Sequence, residues 1–486
     1  MRRVIASLLI AAAAVGAIVL SVHDQGSADS VATLSSSPAV FSTGTNPGTP
    51  RIPGDQAAVT TTWYCAGTSA AGGEYGGEIV VSNTSEAPVS GVLTLLTPEG
   101  EPVVQPLELK PRSQESISVG ELVSASYATA VVEVDDPHVS VEQRALHPAG
   151  SAVSPCSTQT SNEWFTADGF TAEGSDFHLV LTNPYLSPAI VDLTVSTDAG
   201  PRTPPTLQGF VIPARSVRSI NIAEVGFRDE EVLAIGAVAS SGRFVMSKDQ
   251  HYIGAGRLGH VQTLASPSAA PAWWFADGDR GQGISESYMV YNPSDDEVQA
   301  DLVLLGATSL NTELLIPPST LSIPAHEVVR FDTADVPLLA DGPHAMVVSG
   351  RDGARIVVER VLTRPAGSSV ATTVVLGAQD GVASHRWSVP TSTSIAIEDV
   401  LVVLNTSSID ASVTVYSVGP GGEEVVPGLA ELPIAANGVI TIDLVDPLAF
   451  GRPLEVVSEQ GYLIVERRLE RTTSLRGRSG SLAIPE

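Results

Sequence analysis

The chain is poor in lysine, cysteine and charge. Only Lys110 and Lys248 are lysines among 26 basic residues in 486, against 54 acidic ones, for a formal net charge of −28. A surface of that sign repels phosphate backbones and anionic headgroups, so nucleic acid is excluded as a natural partner. The lysine scarcity fits a GC-rich genome better than any binding role. Charged residues make up 16% and apolar residues 43%, which excludes an intrinsically disordered chain. Two cysteines cannot fill a tetrahedral zinc site. Beyond residue 28 no segment carries a helical apolar stripe with caps, which excludes a helix-rich fold. There is no Gly-x-Ser-x-Gly elbow, no His-Glu-x-x-His and no phosphate-cradling glycine loop. The nine histidines are scattered without metal-ligand spacing, and no cofactor is implied.

Glycine and proline are abundant instead, at 43 and 34 residues. That much turn punctuation suits many short strands joined by loops. At its start the chain carries Arg2 and Arg3, followed by an uncharged apolar run from Val4 to Leu20. Residues 1–28 therefore read as a secretory signal peptide or a membrane-anchor helix. Gly26 and Ala28 offer small residues for cleavage, and either reading puts the remainder outside the membrane. Residues 29–58 are rich in Ser, Thr, Pro, Gly and Ala and read as a flexible stalk spanning about 30 Å.

The rest is one pattern written four times. Each copy opens on an aromatic phrase: TWYCAG at Thr62, EWFTADG at Glu163, WWFADGD at Trp273 and RWSVPT at Arg386. These phrases hold all five tryptophans. An alternating strand follows and ends on Asn83, Asn183, Asn292 or Asn405, 18 to 20 residues beyond the tryptophan (Trp274 in the third copy). A second alternating strand, a Pro-Ala type turn, a further strand and a closing hairpin complete the copy. The reference asparagines are 100, 109 and 113 residues apart, too long for a solenoid unit and right for a domain. Period-two alternation with turn signals every eight to twelve residues predicts antiparallel sandwiches. The expected architecture is all-β: four tandem immunoglobulin-like sandwiches of about seven strands, over residues 59–158, 159–265, 266–380 and 381–486.

Cys65 and Cys156 flank the first copy and read as a disulfide stapling its ends, since both lie outside the membrane. Closing that loop stabilises by about 4 kcal/mol where loop entropy carries the effect. The repeated Trp reads as a buried opening-strand residue, and the repeated Asn as a turn-closing side chain. Asn83 and Asn405 also match the glycosylation pattern, which is short and common. Trp273 and Trp274 stand apart, because neighbouring strand residues face opposite ways and one of them is expected at a surface. With Asp277 and Asp279, read as a solvated acidic loop, they form the candidate ligand-binding set. Of the charged pairs closing copies three and four (Glu359-Arg360 and Glu466-Arg467-Arg468), one partner each is expected to face outward, toward solvent or a neighbouring domain. The arginines between Arg471 and Arg478 read as a solvated end.

The Trp-Tyr-Cys opening behind a signal anchor, with repeated Asn-Pro strand ends and Pro-Ala turns, resembles a family of actinobacterial envelope proteins of unknown function. The resemblance runs along the whole chain and implies a secreted or membrane-anchored all-β protein; it carries no catalytic residue. Two functions follow as expectations. The first is a non-enzymatic, extracytoplasmic scaffold or adhesion module whose partner is an envelope glycan or envelope protein, touching membrane only through its N-terminal helix. The alternative is a carbohydrate-binding or wall-glycan assembly accessory using Trp273, Trp274, Asp277 and Asp279.

Overall fold

The computed structural model describes residues 61–486 except 73–74, 312–313, 392–397 and 471–477. The N-terminal signal and stalk readings fall outside the described residues. What is described is nearly all-β, and its sheets are antiparallel.

Each repeat supplies eight strand positions in the same chain order. The first positions are Thr61–Tyr64, Glu163–Thr166, Ala272–Arg280 and Arg386–Val389, and they carry the repeated tryptophan. The second positions are Gly76–Asn83, Asp176–Asn183, Ser285–Tyr291 and Glu398–Asn405, leading to the repeated asparagine. The seventh positions, Val139–His147, Val245–Tyr252, Val357–Ala366 and Leu463–Glu470, form hairpins with the eighth: Gly150–Pro155, Gly259–Leu264, Ser369–Leu376 and Arg478–Leu482. One sheet of every repeat runs 1-6-3-4 and the other 5-2-7-8. The strand after the eighth returns to pair with the first, as in Tyr64 with Ser157 and Trp274 with Ala378.

Two facing sheets per repeat agree with the sandwich expected from the alternation. The strand order does not agree with an immunoglobulin domain, which groups 1-2-5-4 against 3-6-7. Here the first and fourth strands join the sheet of the third and sixth, the seventh joins the second and fifth, and an eighth strand is added at the edge beside the seventh. Alternation reports which face of a strand is buried; it does not report which neighbour the strand pairs with.

Local chemistry explains why the pattern repeats. Trp63, Trp164, Trp273 and Trp387 are all fully buried, and Trp164 Nε1 donates to Phe244 O at 2.7 Å, as Trp273 Nε1 does to Ile356 O at 2.8 Å. Trp273, not Trp274, is therefore the third copy's equivalent. Each reference asparagine is buried and works as a staple. Asn292 Nδ2 donates to the carbonyls of Asp296, Ile323 and Pro324, while its Oδ1 accepts from Ser294 N. Asn83, Asn183 and Asn405 repeat the arrangement. In Asn83 and Asn405 the amide is buried and spent on carbonyls, so neither is presented as a glycosylation acceptor.

The four sandwiches do not hang as separate beads. The described residues all fall within one compact unit. The eighth strands touch in a cycle: first with second, second with third, third with fourth, and fourth back with first. Apolar clusters cross the boundaries as well. Phe165, Phe170 and Tyr252 of repeat two share a cluster with Tyr288, Tyr291 and Val358 of repeat three, and Ile484 of repeat four packs with Trp63 of repeat one. The four tandem sandwiches thus close into a ring. An eighth strand is a sheet edge, and an open edge invites pairing with other chains. Gathering four edges around one axis covers them. Leu264 N donates to Ser154 Oγ, Thr372 N to Leu258 O and Val153 N to Ser479 Oγ. Between repeats three and four the approach is close enough that a Cβ on Gly480 would stand 3.0 Å from Val375 Cγ2. Arg478, expected in a solvated end, instead opens the axial strand of repeat four and pairs with Glu470 and Glu398.

Candidate functional site

The chemistry-bearing residues gather at the junctions between repeats. At each junction the backbone just past one repeat's tryptophan strand meets the seventh strand of the next. At the junction of repeats two and three, Glu359 Oε2 accepts from Ala167 N (2.7 Å), Asp168 N (2.6 Å) and Thr166 Oγ1 (2.8 Å). Lys248 lies 2.9 Å from the other oxygen of Glu359 and 3.7 Å from Asp168. Between repeats three and four, Glu466 accepts from Ala276 N at 2.6 Å and pairs with Arg360 at 2.7 Å. At the closing junction, Pro390 has no N–H to give. Gln114 and Arg144 of repeat one bind the Thr391 backbone instead, and Ser140 Oγ meets Ser388 Oγ at 3.0 Å.

Asp277 belongs to this framework. It is a buried residue of the first strand, clamped by Arg364 at 2.9 Å and Arg468 at 2.5 Å, with Arg360 3.9 Å away. Burial alone would raise its carboxyl, but Arg364, Arg360 and Arg468 hold it below the ordinary range. Asp279 meets Arg364 at 3.4 Å. Asp168, the equivalent in repeat two, is likewise held down by Arg257 and Lys248 against its burial. The solvated acidic loop is therefore corrected to a buried structural carboxylate. Trp273 is fully buried, and Trp274 is half-buried against the apolar core of repeat four. None of the pair is free to stack on a sugar, because the neighbouring repeat occupies the face that alternation left open. For the same reason both members of Glu359-Arg360 and of Glu466-Arg467 are buried, and none faces solvent.

The pair Glu286–His344, 2.8 Å apart with Tyr288 Oη donating to Glu286, resembles an acid–base dyad. Both side chains have no exposure, so no substrate reaches them. Along the axis lies a cavity of about 40 Å³ lined by Val153, Leu264, Val375 and Leu482, one from each repeat. That is room for a few waters at most, whereas a sugar-sized pocket runs to about 300 Å³ or more. Among the described residues no three His, Cys, Asp or Glu are arranged to hold a metal ion.

The junction of repeats one and two is built differently. Its counterparts of Glu359 and Lys248 are Ser247 and Gln143: Gly67 N donates to Ser247 Oγ at 3.3 Å, and the buried Gln143 amide has no partner among the described residues. Gly67 is required there, since a Cβ would stand 2.5 Å from Val180 Cγ1. The same junction collects four of the nine histidines, which the sequence showed as scattered. His147 of repeat one stacks on His260 of repeat two, with centroids 4.5 Å apart and planes 9° apart, and lies 4.6 Å from His251. His260 Nε2 meets Asp249 at 2.9 Å, and its buried Nδ1 has no partner among the described residues. His178 packs on Tyr127 and pairs with Asp176. The one readable cue was position: His147 and His251 sit near the ends of seventh strands. Cys65 and Cys156, both buried in repeat one, form a disulfide, which fits an oxidising, extracytoplasmic setting.

Residues 137–247, from the end of repeat one through most of repeat two, match a family described as "Family of unknown function (DUF5719)". No curated protein matches the chain. Among solved structures, the chain is similar to Thermotoga maritima 1070, at 18% identity over 22% of this chain and 92% of that one, with a TM-score of 0.19. A tetra-tandem repeat from the extending region of a large adhesion protein matches at 12% identity over 83% of this chain and 93% of that one, with a TM-score of 0.12. Among the described residues no helix is long and apolar enough to cross a membrane.

Proposed function

We propose that this chain is a non-enzymatic extracytoplasmic protein of the cell envelope, a rigid ring that binds or scaffolds an envelope glycan or protein through its outward loops. The N-terminal apolar segment would deliver it across the membrane and either hold it there or be removed. One observation carries the reading: the carboxylates and guanidinium groups that chemistry would need are buried against one another at the junctions, where they lock repeats together. Loops held on such a framework are pre-organised, and pre-organisation is what a binding surface gains from rigidity. The glycan alternative loses its named residues, since Trp273 and Asp277 are sealed inside and Trp274 is covered by the next repeat.

The test is to incubate the purified full chain with isolated envelope fractions and to analyse both retention and the chemistry of the retained material. Saturable retention with that material unchanged is expected. Catalytic turnover of any envelope component would overturn the reading, as would recovery of the native chain from the cytosol.

A further inference from the structure

The ring is fastened unevenly. The second-to-third and third-to-fourth junctions are held by buried ion pairs, Lys248–Glu359 and Arg360–Glu466, and the closing junction by the Arg144 and Gln114 bonds to Thr391. The first-to-second junction has only neutral groups at the matching positions, with three imidazoles packed at its edge. His147 is neutral by geometry, because its Nδ1 accepts from Ala149 N at 3.0 Å. A proton on that nitrogen would set two donors against each other.

We propose that the junction between repeats one and two is a proton-operated seam: charging His147 and His251 drives the two repeats apart and opens the ring at that point.

Among the described residues, the carboxylates beside them are already bonded to other groups. From repeat one, Tyr75 and Tyr127 face the cluster, and burial with Asp249 and Asp176 nearby pushes the Tyr127 phenol well up. From repeat two, Asp249 is bonded to His260, and Asp176 to His178 and Asn221. Glu224 adds a further negative charge acting on His178. Burial, then His260 and His251, lowers His147 to about 4, and burial with His260 lowers His251. An opened seam would restore ordinary values near 6.5. The open form then takes up protons that the closed form refuses. The closed seam is favoured above about pH 6.5 and loses ground as pH falls from there toward 4. His178 works in the opposite direction: although burial pulls it down, Asp176 holds it up. Asp176 lies in the same repeat, so that bonus survives opening.

Hydrogen exchange on the full chain at pH 7.5 and pH 5.0, corrected for the intrinsic pH dependence, tests the seam. Opening at 150–155 and 259–264 is expected to rise about tenfold at the lower pH, the effect of one unit of differential proton affinity. Residues 369–376, which face a junction without clustered imidazoles, should hold their protection. In the double variant His147→Phe, His251→Phe, which keeps flat rings and cannot charge, the rise should vanish. If that variant folds poorly, His251→Asn at the half-exposed position should still reduce the rise. Equal protection of the wild type at both pH values would overturn the proposal. So would a rise that persists undiminished in the variants, or one of equal size at 369–376.

Discussion

Glu359 takes three hydrogen bonds from the preceding repeat and faces a buried ammonium, so its loss strands several groups at once. Removing one partner of a buried pair costs about 3–5 kcal/mol because the remaining charge stays desolvated. Glu359→Ala should therefore lower the unfolding free energy from denaturant melts by that amount, whereas Glu86→Ala, at a largely exposed pair with Arg112, should change stability by less than about 1 kcal/mol. Equal effects from the two would refute the junction chemistry. Glu455 gives a second prediction with a pH sign. Burial first, then Glu486, raises it to about 7, although Arg386 lies against it and is itself pushed upward by the contact. The single cation is outweighed. The folded state thus keeps a proton that the unfolded chain releases near 4.5, and stability falls as pH rises from 4.5 through 7, by about 1–3 kcal/mol. Glu455→Gln should flatten that decline in thermal melts taken between pH 5 and 8. A variant whose melts fall as steeply as the parent's would show that Glu455 is not the titrating group.

At the scale of strands and turns, the disulfide joins positions 91 apart in sequence, linking the end of the first strand of repeat one to the chain leaving that repeat. Loop-closure entropy gives about 4 kcal/mol for a loop of that size, less any unfolded-state compensation. The variant Cys65→Ser, Cys156→Ser should lose about 2–4 kcal/mol in calorimetry yet keep the sandwich; an unchanged melting temperature would rule out the staple. Strand existence was legible in the sequence because period-two alternation is local, and so were the asparagine turns, whose partners lie within the same repeat. Sheet order was not legible, since a strand buries the same face whichever neighbour it pairs with. Nor was the histidine site: His147, His178, His251 and His260 meet only because seventh and eighth strands of different repeats converge. The seventh strands did hold a signal. Segments such as VVERVL and IVERRL break the apolar–polar alternation, and such runs mark strands covered on both faces. In an exposed sandwich those charges would be idle; here they join repeats.

At the scale of the whole molecule, a ring and a string of domains respond differently to the loss of one member. In a string, each sandwich melts on its own, and deleting repeat four leaves three intact transitions. In the ring, deleting residues 381–486 strips Glu466 from Arg360 and Arg468 from Asp277, uncovers Trp274, and removes Thr391 and Ser388 from repeat one. Two complementary surfaces, one at each end of the remaining arc, are then exposed on the same molecule. Such ends pair head to tail between copies, and where the rotation does not close they propagate. The full chain should accordingly unfold in one dominant transition, while the deletion should sediment as a self-associated species or fail to melt cooperatively. A monomeric three-repeat chain with the parent's melting temperature would show that the fourth repeat closes nothing, and the repeats would then have to be treated as independent after all.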